Sequence, residues 1–202
     1  MKYVLEILVV LTTIGNWMRM YLTGGGSLLS SRGLMSLKYY TTLSNIFAGI
    51  AAVIMIAVLA RTKSGKVPVW AAVTKFASAV TVSVTFLVTL FFLAPTMGIG
   101  GLYKGELMFM HAVGPVLTVV SFFMNRDLPE MKPSSALWAT LPTILYGGVY
   151  SANIMLNGVG SGMNTNDWYG FAAAGVHTVP FVYALMVLLT YLLSRVMRKV
   201  KR

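Results

Sequence analysis

Two residues of this chain, Thr41 and His111, have the chemistry of a nucleophile and a general base. One hydroxyl and one imidazole suffice for acyl transfer. The base takes the hydroxyl proton as oxygen attacks an acyl carbon, then returns it to the leaving alkoxide. His111 lies within a long apolar run, where an imidazole demands partners for both ring nitrogens. Pro115 cannot donate to the His111 carbonyl and Gly114 precedes it, so an irregular helix is expected beside the ring. His177 has Pro180 close behind it but no obvious polar partner at its depth, which favours a structural role. Glu106 and Asp167 are poorly placed to orient His111, one on another helix face and the other in a loop, so a dyad is expected rather than a triad.

Supporting polar residues gather at similar depth. If the second helix enters near Lys38 and the fourth near Glu106, Thr41 and His111 differ in depth by roughly 3 Å at about 1.5 Å rise per residue. Tyr146, Tyr150 and Asn153 recur on one face of the fifth helix, and Asn45, Tyr150 and Asn153 are candidate oxyanion donors. Arg19 and Lys38 could meet a substrate carboxylate. Thr41 shares its helix face with Ser44, Asn45, Ala48 and Ala52, whereas the adjacent Thr42 points about 100° away, along Ile46, Gly49 and Val53. The face argument therefore selects Thr41 over Thr42 as nucleophile.

The elements that must position these residues are membrane helices. Charged residues make up 10% of the 202 residues, against about 25% in soluble domains, while 57% are hydrophobic. Such a composition excludes an extramembrane enzyme. The absence of cysteine removes thiolate and iron–sulfur chemistry, and two histidines with five carboxylates make a metal cage or other cofactor unexpected. A net charge of +11 could suggest nucleic acid, but the charges sit at the ends of apolar runs rather than on one solvated face.

Apolar runs predict an all-α fold, a single domain of six transmembrane helices at about 3–22, 38–60, 68–93, 106–125, 135–156 and 169–194. Thr23-Gly24-Gly25-Gly26 lacks a signal-cleavage pattern, so the first run is kept as a helix. Lys2, the group Arg61, Lys63, Lys66 and Lys75, then Arg126, Lys132 and the five basic residues of 195–202 fall on one side. Arg19, Arg32, Lys38 and Lys104 fall on the other, a bias of 12 against 4 that places both termini in the cytoplasm. The connections on the opposite side are long and glycine-rich, either flexible joints or lids over an outward-opening cavity. Thr74, Ser78, Thr81, Thr85 and Thr89 form a stripe on the third helix, read as helix packing rather than a site.

The stretch Lys38-Tyr39-Tyr40-Thr41-Thr42-Leu43, together with Met110-His111 followed by Pro115, resembles the family of androgen-induced gene 1 and androgen-dependent TFPI-regulating protein. Prokaryotic six-helix relatives of that family look at least as similar. The resemblance implies a multipass threonine hydrolase of fatty acid esters of hydroxy fatty acids, with Thr41 as nucleophile and His111 as its base. Chain and resemblance together suggest an intramembrane hydrolase of lipid-like esters, in a prokaryotic cytoplasmic membrane, with its site toward the extracytoplasmic half. The alternatives are a small transporter or channel lined by His111, and a lipid acyltransferase on the same fold.

Overall fold

The computed structural model describes residues 2–24, 30–62 and 66–201. These residues are all-α and form six long helices: α1 (2–23), α2 (Tyr40–Arg61), α3 (Val69–Met97), α4 (Gly105–Met124), α5 (Ser135–Asn157) and α6 (Val176–Val200). Of these, α2, α3, α4 and α6 are long and apolar enough to cross a membrane. The other two carry more polar residues, among them Glu6, Asn16 and Arg19 on α1 and Tyr150, Ser151 and Asn153 on α5. Large apolar side chains on the outer surface, such as Phe91, Leu145, Val149 and Phe181, are more than 60% exposed, as expected where lipid is the solvent.

Helix α3 is the most deeply buried of the four apolar helices and packs against α2, α4, α5 and α6. Ala71, Ala72, Ala77, Ser78 and Ala79 let its neighbours approach closely, while Phe76 and Val80 meet Phe122, Ala139 and Met197. Gly49 plays the same part between α2 and α1, since a Cβ there would strike Ile14 and Thr13. The hydroxyls of Ser78 and Thr81 bond to carbonyls of their own helix, consistent with packing, but Thr85 also bonds to Ser44 of α2 at 2.8 Å.

Both described termini lie at one end of the bundle, where Lys201 donates to the carbonyls of Phe123 and Asn125 at the end of α4. This terminal end contains a feature that charge patterning misplaced. Lys75, expected among the loop charges, is fully buried inside α3 and bonds to Glu6 of α1 at 2.6 Å, while Ser121 of α4 donates to the other carboxylate oxygen at 2.6 Å. A residue seven places into a helix can count as a loop charge only if it snorkels, and Glu6 instead holds it inside. Lys63 and Arg202, counted with it, lie outside the described residues, as do residues 25–29 of the first glycine-rich connection.

At the opposite, loop end, α1, α3 and α4 each contain a π-helical turn, over Leu11–Gly15, Thr89–Leu93 and Phe109–Val113. The last has a direct sequence cause. Pro115 offers no N–H to His111, and the Gly114 N–H bonds five residues back to Phe109. Helix α6 starts at residue 176 rather than 169. Gly170 and Gly175 have φ of +76° and +110°, and Pro180 occupies the first turn of the α-helical part, which follows a single 3-10 turn over Val176–Thr178. His177 is consequently exposed at the head of α6 instead of lying deep within it.

Candidate functional site

A cavity of about 300 Å³ lies at the loop end between α2, α3, α5, α6 and the connection preceding α6. Its polar lining includes Thr41, Thr85, Thr89, Thr143, Tyr146 and Tyr169, and Val88, Phe92, Met186 and Leu189 contribute to its apolar wall. A larger groove of about 640 Å³ runs beside it along α2, α3 and α5, lined by Phe47, Ala77, Trp138, Leu145 and others. Tyr40 and Tyr146 border both spaces, with ring centroids 5.1 Å apart, and so form the partition. The Tyr40 and Thr143 hydroxyls bond at 2.8 Å, and Tyr146 donates to the Lys38 carbonyl at 2.7 Å, which fixes both rings.

The connection before α6 is organised by Asp167. Its carboxylate accepts the backbone N–H groups of Phe171 and Ala172 at 2.8 Å each and the Tyr150 hydroxyl at 2.6 Å. Tyr150 oxygen in turn accepts the Tyr169 N–H at 3.0 Å. Asn153 donates to Asn166 at 3.2 Å. Tyr150 and Asn153 thus hold the connection in place, and the Tyr150 hydroxyl proton is already engaged.

His111 is fully buried in the π turn of α4. Its Nδ1 lies 2.8 Å from the Leu102 carbonyl, whereas Nε2 has no hydrogen-bond partner. A carbonyl only accepts, so in the neutral ring Nδ1 carries the proton and Nε2 presents a lone pair. The ring is thus oriented by a backbone carbonyl rather than by a carboxylate. Glu106 is engaged elsewhere, its carbonyl accepting from Asn16 at 2.9 Å and its carboxylate from Ser30 at 3.2 Å.

Asn45 connects the two halves of the predicted dyad. Its Nδ2 donates to the Thr41 carbonyl at 2.8 Å and to the Met110 carbonyl at 2.9 Å, tying the backbone at Thr41 to the residue before His111. Two carbonyls around one carboxamide atom identify that atom as nitrogen, which leaves Oδ1 as a buried acceptor without a partner. The expected oxyanion donation from Asn45 is therefore unavailable, because both of its N–H groups are engaged. Thr41 is half-buried and lines the cavity, while Thr42 is buried outside it. No hydrogen bond joins Thr41 to His111 in this structure.

Of the two predicted carboxylate contacts, Lys38 stands near the cavity, its ammonium 5.3 Å from the Trp168 ring and 5.1 Å from that of Tyr39. The Arg19 side chain is exposed on α1, away from the cavity lining. Tyr169 is the residue that sequence reasoning missed. Its hydroxyl is buried without a hydrogen-bond partner, close to the Thr41 side chain. Burial pushes this phenol up to about 12, so it stays protonated at neutral pH. Compared with known protein families, curated proteins and solved structures, the chain matches none.

Proposed function

We propose that the chain is an intramembrane hydrolase of lipid-like esters in which Thr41 is the nucleophile and His111 the general base. The observation that carries this is the bare, buried Nε2 of His111, oriented by the Leu102 carbonyl and tied through Asn45 to the backbone of Thr41. Nε2 accepts the Thr41 proton as Oγ1 bonds to the ester carbon. The tetrahedral intermediate collapses, the carbon–alkoxide bond breaks, and the proton passes from Nε2 to the alkoxide. Water, activated by the same nitrogen, then releases the acid. An apparatus of this kind needs Thr41 and His111 to close on each other when substrate is bound, as catalytic contacts often do.

Six spans with both termini in the cytoplasm accompany this proposal, because the positive bias persists once Lys75 is set aside. The loop end, and with it the cavity, then faces the extracytoplasmic half. The apolar walls suit acyl chains, and the resemblance of the Thr41 and His111 segments to threonine hydrolases of hydroxy fatty acid esters points the same way. Each methylene buried in the transition state is worth about 0.8 kcal/mol, or about fourfold in rate constant. A chain-length series of 4-nitrophenyl esters on the detergent-purified protein tests this: kcat/KM rising with chain length is expected, and equal turnover of acetyl and decanoyl esters would contradict it. An alcohol in place of water would make the same site an acyltransferase, detected as ester exchange in the same assay.

Transport has one observation in its favour, the Glu6–Lys75 pair buried between α1 and α3, since intramembrane charges often mark ion paths. Substrate-driven flux in vesicles without ester cleavage would select that alternative.

A further inference from the structure

An ester hydrolase must place a hydrogen-bond donor where negative charge develops on the carbonyl oxygen. Resting on the hydrolase proposed above, three donors suggested by spacing can be set aside. Asn45 has both N–H groups on backbone carbonyls, the Tyr150 proton is held by Asp167, and Asn153 donates to Asn166 in the connection. Tyr169 remains. Its hydroxyl is buried, makes no well-formed hydrogen bond, lies beside the Thr41 side chain, and borders the same cavity.

The surroundings explain how Tyr169 comes to be there. Asp167 folds the connection back over the bundle, and the Tyr150 oxygen fixes Tyr169 by its own N–H. The ring then packs near Tyr146 and Tyr150, at centroid distances of 6.5 Å and 5.7 Å. Its hydroxyl reaches the start of α2, beside the Thr41 side chain and the backbone of Tyr40 and Thr41. First-turn N–H groups have no acceptor within their helix, and no side chain caps α2. A negatively charged oxygen at this place would meet one phenol and the positive end of a helix.

We propose that Tyr169 donates the hydrogen bond that stabilises the oxyanion formed when Thr41 attacks the ester. As Oγ1 bonds to the carbonyl carbon, the carbonyl π electrons move onto oxygen, which accepts the phenol O–H. On collapse the double bond re-forms, the alkoxide leaves with the proton from His111, and Tyr169 keeps its own proton throughout. The phenol acts by hydrogen bonding, not by proton transfer.

The test compares Tyr169→Phe with Thr41→Ala and the parent protein in hydrolysis of 4-nitrophenyl decanoate. Phenylalanine keeps the ring and the backbone bond to Tyr150. The expected result is a fall in kcat of roughly 10²–10³-fold with little change in KM, while Thr41→Ala is inactive. A long-chain trifluoromethyl ketone, which forms a tetrahedral oxyanion on the nucleophile, should lose affinity by a similar factor, and the corresponding unreactive ether should bind both proteins equally. Altered packing alone would weaken ketone and ether together, so equal losses would overturn the assignment even if the variant is less stable. Parent-like kcat in Tyr169→Phe, with Thr41→Ala inactive, would overturn the oxyanion role and leave the hydrolase standing. Activity retained by Thr41→Ala, or no turnover by the parent, would overturn the hydrolase itself.

Discussion

Glu6, Lys75 and Ser121 meet inside the terminal end of the bundle with both carboxylate oxygens bonded at 2.6 Å, whereas the loop end buries His111 Nε2, Asn45 Oδ1 and the Tyr169 hydroxyl without a well-formed hydrogen bond. Both clusters place polar atoms where desolvation is expensive. The first offsets that expense internally, with a donor on each carboxylate oxygen across α1, α3 and α4. The second leaves such atoms unmatched, Tyr169 at the edge of the cavity and His111 and Asn45 behind its lining, and each such atom costs about 1–3 kcal/mol of stability. Under the proposed function the inner cluster serves helix association and the outer one serves chemistry.

Substitutions should separate these roles. The largest effect is expected from His111→Asn, whose carboxamide can still donate to the Leu102 carbonyl but has no counterpart of Nε2. Ester hydrolysis should fall by roughly 10²–10⁴-fold, while thermal unfolding in detergent shifts by about 1 kcal/mol or less. A variant that unfolds but keeps its rate would reverse the assignment of the two clusters. Next, Lys75→Met strands the Glu6 carboxylate and should cost about 3–5 kcal/mol of stability. Pairing it with Glu6→Leu should restore most of that loss, and the rate per folded molecule should stay near the parent value in both.

Gly114→Ala probes the join between α2 and α4. An added Cβ would lie 2.7 Å from Asn45 Oδ1 and 2.9 Å from the Phe109 carbonyl, pushing Thr41 and His111 apart. A displacement near 1 Å should lower kcat by on the order of a hundredfold, measured beside an unchanged helical circular dichroism spectrum. The smallest effect is expected from Tyr146→Phe, which deprives the Lys38 carbonyl and the Trp168 indole N–H of their partner. It should lower stability by about 1–2 kcal/mol and alter chain-length preference more than maximal rate.

Much of this arrangement was legible in the sequence. Apolar run lengths located the six long helices, of which four are long and apolar enough to cross a membrane, and Pro115 correctly announced the irregular turn at His111. The face argument placed Thr41 toward the cavity and Thr42 away from it. Segment 169–175 misled because Tyr, Phe and Ala read as apolar helix, while the Asp167 carboxylate and two glycines with positive φ hold it as a connection. Lys75 misled because spacing cannot reveal that Glu6, sixty-nine residues earlier, lies opposite it. Tyr169 carried no signal at all. Its position depends on a loop folding back through contacts with α5, which no local pattern encodes.

The central claim is that Thr41 becomes covalently bonded to the acyl group, and the most direct measurement is the site of adduct formation by an acyl-directed long-chain probe, located by mass spectrometry on the intact detergent-solubilised protein. The account predicts an adduct on Thr41 that persists in Thr42→Ala, disappears in Thr41→Ala and forms far more slowly in His111→Asn. An adduct on Thr42 or elsewhere, or labelling that survives Thr41→Ala unchanged, would contradict it.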